Sequence, residues 1–148
     1  MSILKIAGYA SLFGMRDLAG DVVEKGAFLQ SLNTIPAPMV RMLYQHDGNR
    51  PIGTWHKIIE DEIGLWVEGE ISNQTPDARL AIALVNARQM DGLSIGFRTL
   101  NFLPANGGRI LKQIDLREIS LVGFPMLPRA RLRVFGENLL SIETNIAA

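Results

Sequence analysis

Cysteine is absent from the 148-residue chain, which excludes disulfides, thiolate zinc sites and cysteine nucleophiles together. Histidine is scarce: His46 and His56 are too few for most histidine-based metal sites unless carboxylates complete the set. Neither sign of charge predominates, because 15 Lys and Arg residues balance 15 Asp and Glu residues. This balance predicts no surface for nucleic acid or an anionic membrane. We expect no metal and no cofactor.

Long apolar runs are also missing. No stretch approaches the ~20 residues that a membrane-spanning helix needs. Residues 1–10, MSILKIAGYA, lack the basic start and long apolar centre of a signal peptide. We therefore expect a soluble, cytosolic protein with one domain that buries roughly two-thirds of its unfolded surface.

The sequence is instead rich in strand patterns. Strands are predicted at 3–13, 37–46, 92–103 and 109–124, and a hairpin over 52–71 turning at 61–64. Helices are predicted at 27–32 and 75–89, the latter with Thr75 as N-cap and an apolar stripe of Leu80, Ala81, Leu84 and Val85. Residues 15–26 should form a loop, and residues 136–148 a short helix or a loose tail. About six or seven strands and two or three helices predict an α+β, barrel-like domain rather than a doubly wound sheet.

Residues 91–98, DGLSIGFR, place Ser94 between Gly92 and Gly96 in a Gly-x-Ser-x-Gly pattern. In an α/β-hydrolase this pattern forms a nucleophile elbow between a strand and a following helix, with the histidine later in the chain. Here a predicted helix precedes Ser94, the serine lies within a predicted strand, and both histidines come before it. The α/β-hydrolase interpretation is therefore excluded.

A strand gives Ser94 a different setting. Alternation divides the strand into two faces, Leu93, Ile95 and Phe97 against Gly92, Ser94, Gly96 and Arg98. The hydroxyl then stands on a face that its glycine neighbours leave bare, where another backbone could approach closely. A structural serine beside two packing glycines is the alternative.

Glu118 lies in residues 114–124, IDLREISLVGF. Alternation places it on the same side as Ile114, Leu116, Ser120, Val122 and Phe124. A carboxylate in such an apolar set needs a partner, because glutamate is rarely buried alone. The partner is either an arginine, Arg98 or Arg117, or a histidine that the carboxylate orients as the third member of a serine triad.

The two histidines differ in context. His46 ends a predicted strand at the polar turn YQHDGNRPIG, from which its side chain could cross to a neighbouring strand. A solvated turn histidine is the alternative. His56 lies in mid-strand among large apolar groups and is the weaker candidate for a general base.

Five segments in the same order resemble the prohead (procapsid maturation) serine proteases of tailed bacteriophages, in the branch with the herpesvirus-assemblin-like fold. The segments are GYASLFGMRDLAGDVVEKGAF (8–28), LYQHDGNRPIGTW (43–55), GLWVEGEI (64–71), DGLSIGFR (91–98) and DLREISLVGFPMLPRA (115–130). The resemblance implies a small, mostly antiparallel β-barrel of six or seven strands, with a protease domain at 1–135 and a short tail at 136–148.

The resemblance also implies residue roles. Ser94 would be the nucleophile, His46 the general base and Glu118 the third member. The assemblins have a second histidine at that last place, and this sequence has none after His56. Backbone N–H groups near Gly92 and Gly96, with Arg129 or Arg131, are the candidate oxyanion and substrate groups. For the two arginines, a solvated edge is the alternative.

By the same resemblance, the substrate would be the scaffold, or the scaffolding segment of the major capsid protein, cleaved inside the assembling procapsid in the host cytoplasm. A phage, a prophage or a gene-transfer-particle cluster would fit equally, and self-association stays open. Two other classes also stay open. One is an inactive relative that serves as a capsid-assembly or binding module, and the other is an unrelated β-barrel binding protein.

Overall fold

The computed structural model describes residues 2–139, which form eight strands and two α-helices. The strands are β1 (Ser2–Leu12), β2 (Asp21–Val23), β3 (Arg41–Tyr44), β4 (Pro51–Glu60), β5 (Gly64–Ser72), β6 (Gly92–Ala105), β7 (Gly108–Val122) and β8 (Leu132–Leu139). The helices are α1 (Leu29–Thr34) and α2 (Pro76–Asn86), and a 3₁₀ turn spans Ala37–Met39. The predicted α+β class is confirmed.

All eight strands belong to one curled sheet. The strand order is β2-β7-β3-β4-β5-β1-β8, and β6 pairs with β7. Because β6 runs along β7 for nearly its whole length, β2 and β3 share the opposite edge of β7, both parallel to it. The other pairings are antiparallel. The start of β8 meets the start of β6 through a hydrogen bond from Leu93 N–H to Ala130 O at 2.9 Å. The sheet is thus a half-barrel, in agreement with the predicted barrel-like domain.

The concave side of the sheet holds the apolar core. Trp55 is fully buried, and its indole N–H donates to Ile119 O at 3.1 Å, so the ring is fixed across the barrel. Helix α1 packs on β7, where the Ser31 hydroxyl accepts from Leu116 N–H at 2.9 Å. This packing fixes the middle of β7, the strand that carries Glu118.

Local signals in the sequence predicted the elements around the core well. The β4–β5 hairpin turns at 61–64 as predicted. Helix α2 begins at Pro76 after the Thr75 cap, whose hydroxyl accepts from Ala78 N–H at 3.1 Å. Its buried stripe is turned slightly from the predicted one: Ala78 is buried, whereas Leu80 is 40% exposed.

Two elements that depend on distant partners were predicted wrongly. The expected loop at 15–26 contains β2, which pairs with Arg109 to Leu111 of β7. Residues 136–139 are neither helix nor tail: they continue β8, which pairs with β1 as far as Ser2↔Leu139. The prediction for 140–148 lies outside the described residues.

Candidate active site

The β6–β7 pair brings Ser94 and Glu118 onto one face of the sheet. In the antiparallel register, Ser94 lies opposite Ser120, and Gly96 lies opposite Glu118. Directly opposed residues point to the same side of a sheet. Ser94, Ser120 and Glu118 therefore form one polar group on the side facing away from the core.

A bulge in β7 explains why Glu118 leaves the core face. The register shifts after Gly96, so that Phe97 pairs with Leu116 and Arg117 becomes the extra residue. The extra residue inverts the alternation, and Leu116 and Glu118 then point to opposite faces. The predicted placement of Glu118 beside Ile114 and Leu116 was wrong for this reason. The predicted faces of β6 are confirmed, since Leu93, Ile95 and Phe97 all pack on the core.

Gly96 leaves the space that the Glu118 carboxyl group occupies. A Cβ at position 96 would lie 2.6 Å from Glu118 Cδ and 2.7 Å from its Oε2. Both distances are far below a van der Waals contact. The second glycine of the Gly-x-Ser-x-Gly pattern is therefore required by the carboxylate of the neighbouring strand, and not by a nucleophile elbow.

His46 reaches this polar group from a strained turn after β3. Gln45 and His46 have φ values of 52° and 63°, in the left-handed region that non-glycine residues rarely adopt. Two hydrogen bonds tie Gln45 to the end of β7, from its N–H to Leu121 O at 2.9 Å and from Gly123 N–H to its Oε1 at 3.0 Å. Such strain persists only where the surroundings hold it, and it is concentrated at functional sites.

The other end of the turn is also anchored. The Arg50 guanidinium binds Asp77 of α2, with Nε 2.9 Å and a terminal nitrogen 2.8 Å from Oδ1. It also lies 4.2 Å from the centre of the Tyr44 ring. Arg41 donates to Gly48 O within the turn. These contacts fix the backbone that presents His46.

The imidazole of His46 contacts the Glu118 carboxylate. His46 Nδ1 lies 3.0 Å from both Oε1 and Oε2, and the Ser120 hydroxyl donates to Oε1. Burial alone would raise the pKa of Glu118. The hydrogen bonds from His46 and Ser120, together with the charges of His46 and Arg41, outweigh burial and hold the pKa of Glu118 below its usual value. The carboxylate is therefore ionised at neutral pH.

An ionised carboxylate fixes the tautomer of a neutral imidazole. Since the carboxylate only accepts hydrogen bonds, Nδ1 of His46 must carry the proton. Nε2 then has a free lone pair and can act as a base. The Ser120 hydroxyl is fully buried and holds one carboxylate oxygen in place. Sequence reasoning gave Ser120 no such role, although its two-residue spacing from Glu118 and its position in a strand were the available signal.

Ser94 lies in the wall of a small cavity at the open edge of β6. The serine is 6% exposed. The other lining residues are Ala10, Ser11, Leu12, Met15, Asp17, Asp21, Val23, Leu93, Ile95, Phe97, Met126 and Leu127. Within residues 2–136, no hydrogen bond joins Ser94 Oγ to His46. Catalytic hydrogen bonds are often long without substrate and shorten in the complex.

The other candidate residues have defined environments. A Cβ at Gly92 would lie 2.7 Å from Val122 O and 2.8 Å from Pro125 Cδ, so packing explains this glycine. Arg131 is bound to Asp91 Oδ1 at 2.6 Å and to Pro128 O at 2.8 Å. Arg129 is exposed, and no ion pair of its guanidinium occurs in the described part of the chain.

The structure also answers the alternatives raised for Glu118 and His56. Arg117 and Arg98 bind Asp115, at 2.8 Å and 3.9 Å, and not Glu118. His56 is the extra residue of a bulge in β4, and its Nε2 lies 3.0 Å from Glu70 Oε1. Its side chain is 51% exposed, so the expected packing among apolar groups was wrong.

Residues 2–139 contain neither a candidate metal centre nor a candidate membrane span. No group of three or more His, Cys, Asp or Glu side chains there could hold a metal ion. None of the helices in that range is long and apolar enough to cross a membrane.

The chain is similar to known phage proteins along nearly its whole length. Residues 2–143 match the sequence model of the family described as caudovirus prohead serine protease. The prohead protease of Enterobacteria phage HK97 is 35% identical over 122 residues, which are 80% of this chain and 54% of that protein. The prohead protease of Escherichia phage T5 is 34% identical over 128 residues, 83% of this chain and 59% of that protein. The chain spans somewhat over half the length of these relatives.

Solved structures show the same fold at low sequence identity. The bacteriophage T4 capsid assembly protease superposes with a TM-score of 0.61 at 14% identity, over 80% of each chain. The protease of varicella-zoster virus gives 0.56 at 15% identity, over 89% of this chain and 64% of that one. The KSHV protease, solved with a hexapeptide phosphonate inhibitor, gives a TM-score of 0.59 at 12% identity, over 93% of this chain and 65% of that one.

The fold is therefore that of the phage and herpesvirus assemblin-like proteases. The match over residues 2–143 and the two phage relatives show that the chain belongs to the caudovirus prohead serine protease family.

Proposed function

We propose that this chain is a serine endopeptidase that cleaves the scaffold, or the scaffolding segment of the major capsid protein, inside an assembling procapsid in the host cytoplasm. The observation that carries the proposal is the contact of His46 Nδ1 with an ionised Glu118, on the sheet face that also bears Ser94. Nucleophile, base and carboxylate are the three parts of a serine triad. Family membership supports the substrate class.

In the proposed mechanism, Ser94 Oγ attacks the carbonyl carbon of the scissile peptide bond while its proton passes to His46 Nε2. Glu118 stabilises the imidazolium through Nδ1–H. His46 then gives the proton to the leaving amine, and an acyl-enzyme remains on Ser94. Water, deprotonated by His46, attacks the acyl carbon; the bond from that carbon to Ser94 Oγ breaks, and Oγ takes the proton back from His46. Arg129 is the candidate for stabilising the oxyanion, because Arg131 is already bound to Asp91.

The substrate would bind as an extended strand along the open edge of β6. Leu93 N–H points away from β7, since it donates to Ala130 O. In an antiparallel pair the outward-pointing residues alternate, so the N–H and C=O of Ile95 also point to that edge. A peptide that pairs with Ile95 would place its backbone beside Ser94, in the mode of strand addition.

The proposal is tested by expressing the chain together with the major capsid protein of its own gene cluster. We expect the capsid protein to be shortened by the wild type and to keep its full length with Ser94→Ala. Circular dichroism should show an unchanged fold, because the variant loses one hydroxyl from a strand. Equal shortening by Ser94→Ala would refute the protease assignment. Absence of shortening by a folded wild type would favour the inactive assembly module.

A further inference from the structure

Two loops beside Ser94 expose large apolar side chains to solvent. Phe124 is 97% exposed, Leu18 73% and Met126 47%. We call these three residues the apolar rim. Single exposed apolar residues are ordinary on a protein surface, but several in one place mark a site of interaction.

The backbone beneath the apolar rim is held in place. Leu18 N–H donates to Met126 O at 2.9 Å and joins the two loops. Gly123, the residue before Phe124, is bound to Gln45 Oε1 at 3.0 Å. The exposed side chains therefore stand on an ordered backbone. A partner that covers them would lose little free energy to ordering these loops.

The apolar rim is continuous with the cavity that contains Ser94. Met126 belongs to both, and Leu127 lines the cavity next to it. Ser120 is the cross-strand partner of Ser94. Phe124 lies four residues beyond Ser120, so the backbones of these two residues are at most about 13 Å apart at the rise of a strand. A chain that covers the apolar rim therefore meets the cavity whose wall includes Ser94.

The cavity offers contact to apolar groups. Of its two carboxylates, Asp21 is paired with Arg109 at 2.8 and 2.9 Å, and Asp17 holds the turn through Oδ1, which accepts from Ala19 N–H and Asp21 N–H, both at 2.9 Å. Leu12, Phe97 and Met126 line the cavity with hydrocarbon, which an apolar side chain of a partner would contact.

We propose that the apolar rim is the recognition surface for the protein substrate, and that it binds an extended segment with a large apolar side chain within a few residues of the scissile bond. This inference rests on the proposed function. Continuity with the Ser94 cavity and the open edge of β6 favour the substrate over a second copy of the chain as the occupant.

The test uses Phe124→Ser with Phe102→Ser as its matched control. Phe102 is also an exposed phenylalanine, but it lies eight residues from Ser94 on the same strand, at about 26 Å. Peptides that span the mapped cleavage site of the co-expressed capsid protein are the probes. We expect Phe124→Ser to lower kcat/KM at least about tenfold through KM, and Phe102→Ser to change it less than about twofold. Replacing the apolar residue of the peptide by serine should lower wild-type kcat/KM by a similar factor.

Two further measurements separate this inference from the proposed function. A small phosphonate that reacts with Ser94 should label Phe124→Ser as fast as wild type, because the catalytic groups are untouched. In the Ser94→Ala background, the Kd of the capsid protein should rise about tenfold with Phe124→Ser, which tests the surface without turnover. Unchanged KM and Kd would overturn the apolar rim as the recognition surface even if the protease is active. Loss of self-association with unchanged substrate Kd would also overturn it, in favour of a second copy.

Discussion

Strand β7 makes two contacts of similar burial between a carboxylate and a nitrogen group, one near each end. Near its start, Arg109 binds Asp21, with side chains 37% and 8% exposed; near its end, Glu118 binds His46, with side chains 15% and 42% exposed. Burial therefore does not distinguish the pairs. The two pairs differ in the nitrogen group that binds the carboxylate, a guanidinium in Arg109 and an imidazole in His46. The hydrogen bond to Asp21 raises the pKa of the Arg109 guanidinium further, so this group keeps its proton, whereas an imidazole can accept and release one.

The backbones of the two pairs differ as well. Asp21 lies in a short regular strand, and the Arg109 guanidinium lies 5.2 Å from the centre of the Phe102 ring. His46 lies in a left-handed turn that costs conformational energy. Similar contacts thus join Asp21 to the sheet at one end of β7, and at the other end hold the His46 imidazole against the strand pair that carries Ser94. The predictions below separate the two roles.

The largest effect is expected for the base itself. In the proposed mechanism His46 takes the Ser94 proton, so for His46→Ala we expect kcat to fall by about 10⁶, the scale known for removal of a triad histidine. His56→Ala is the matched control, because His56 also binds a carboxylate but lies exposed on β4. It should change kcat less than about twofold, and the free energy of unfolding by about 0.5 kcal/mol or less. An active His46→Ala beside an inactive, folded His56→Ala would reverse the assignment.

The next contrast is between the two carboxylates, Glu118 and Asp21. Glu118→Gln keeps the volume but loses the charge that stabilises the imidazolium, and kcat should fall by about 10⁴, the scale known for replacing the triad aspartate of trypsin by asparagine. Asp21→Asn should instead lower the free energy of unfolding by about 2 kcal/mol, and its loss of kcat should be far smaller because Glu118 and His46 keep their contact. Kinetics on a peptide and denaturant unfolding of both variants check this. The roles are contradicted if Glu118→Gln loses only stability.

A methyl group at position 96 should act on activity through Glu118. Gly96→Ala forces the carboxylate away, because the new Cβ would lie 2.6 Å from Glu118 Cδ. A displacement of about 1 Å at a catalytic group can cost about 10² in rate, and we expect a loss of that size in kcat. Gly136→Ala is the control, since its nearest contact would be the flexible Lys5 side chain at 3.4 Å. Full activity of Gly96→Ala would show that the carboxylate position does not matter.

Ser120 should have a smaller effect. Ser120→Ala removes one hydrogen bond to Glu118 and leaves the contact with His46, so we expect kcat to fall about tenfold. Pre-steady-state kinetics would assign the loss to the acylation step. A folded Ser120→Ala variant with wild-type kcat would show that the hydroxyl does not position the carboxylate.

The smallest effect is a dependence of stability on pH. Because the folded state holds the pKa of Glu118 below its unfolded value, Glu118 stabilises the fold above the unfolded pKa of about 4.3, and this stability is lost as pH falls through the folded pKa. The difference in unfolding free energy between wild type and Glu118→Gln should therefore shrink as the pH falls below about 4.3. A difference that grows on acidification would contradict the sign of this linkage.

The sequence predicted those features that local patterns determine. The β4–β5 and β6–β7 hairpins follow from short turns between strand-forming runs, and α2 follows from Thr75 and Pro76. The grouping of His46 with Glu118 was expected from a family resemblance, and the structure places the two side chains in contact.

Features that depend on distant partners could not be predicted. Residues 136–139 continue β8 because they pair with β1 at the far end of the sequence, and their own sequence, Gly-Glu-Asn-Leu, shows no strand pattern. The bulge at Arg117 turns Glu118 away from Ile114. A bulge is defined by the pairing of two strands, so it cannot be recognised in the sequence of one strand alone. The left-handed turn at Gln45 depends on Gly123, which lies 78 residues away.

The central claim is that Ser94 is a nucleophile activated by His46, and covalent labelling tests it most directly. A peptide-like phosphonate would be incubated with wild type, His46→Ala and His56→Ala, and the modified residue located by mass spectrometry. The account predicts modification of Ser94 in wild type and in His56→Ala, and none in His46→Ala on the same timescale. Modification of another residue, or equal labelling of Ser94 in His46→Ala, would contradict it.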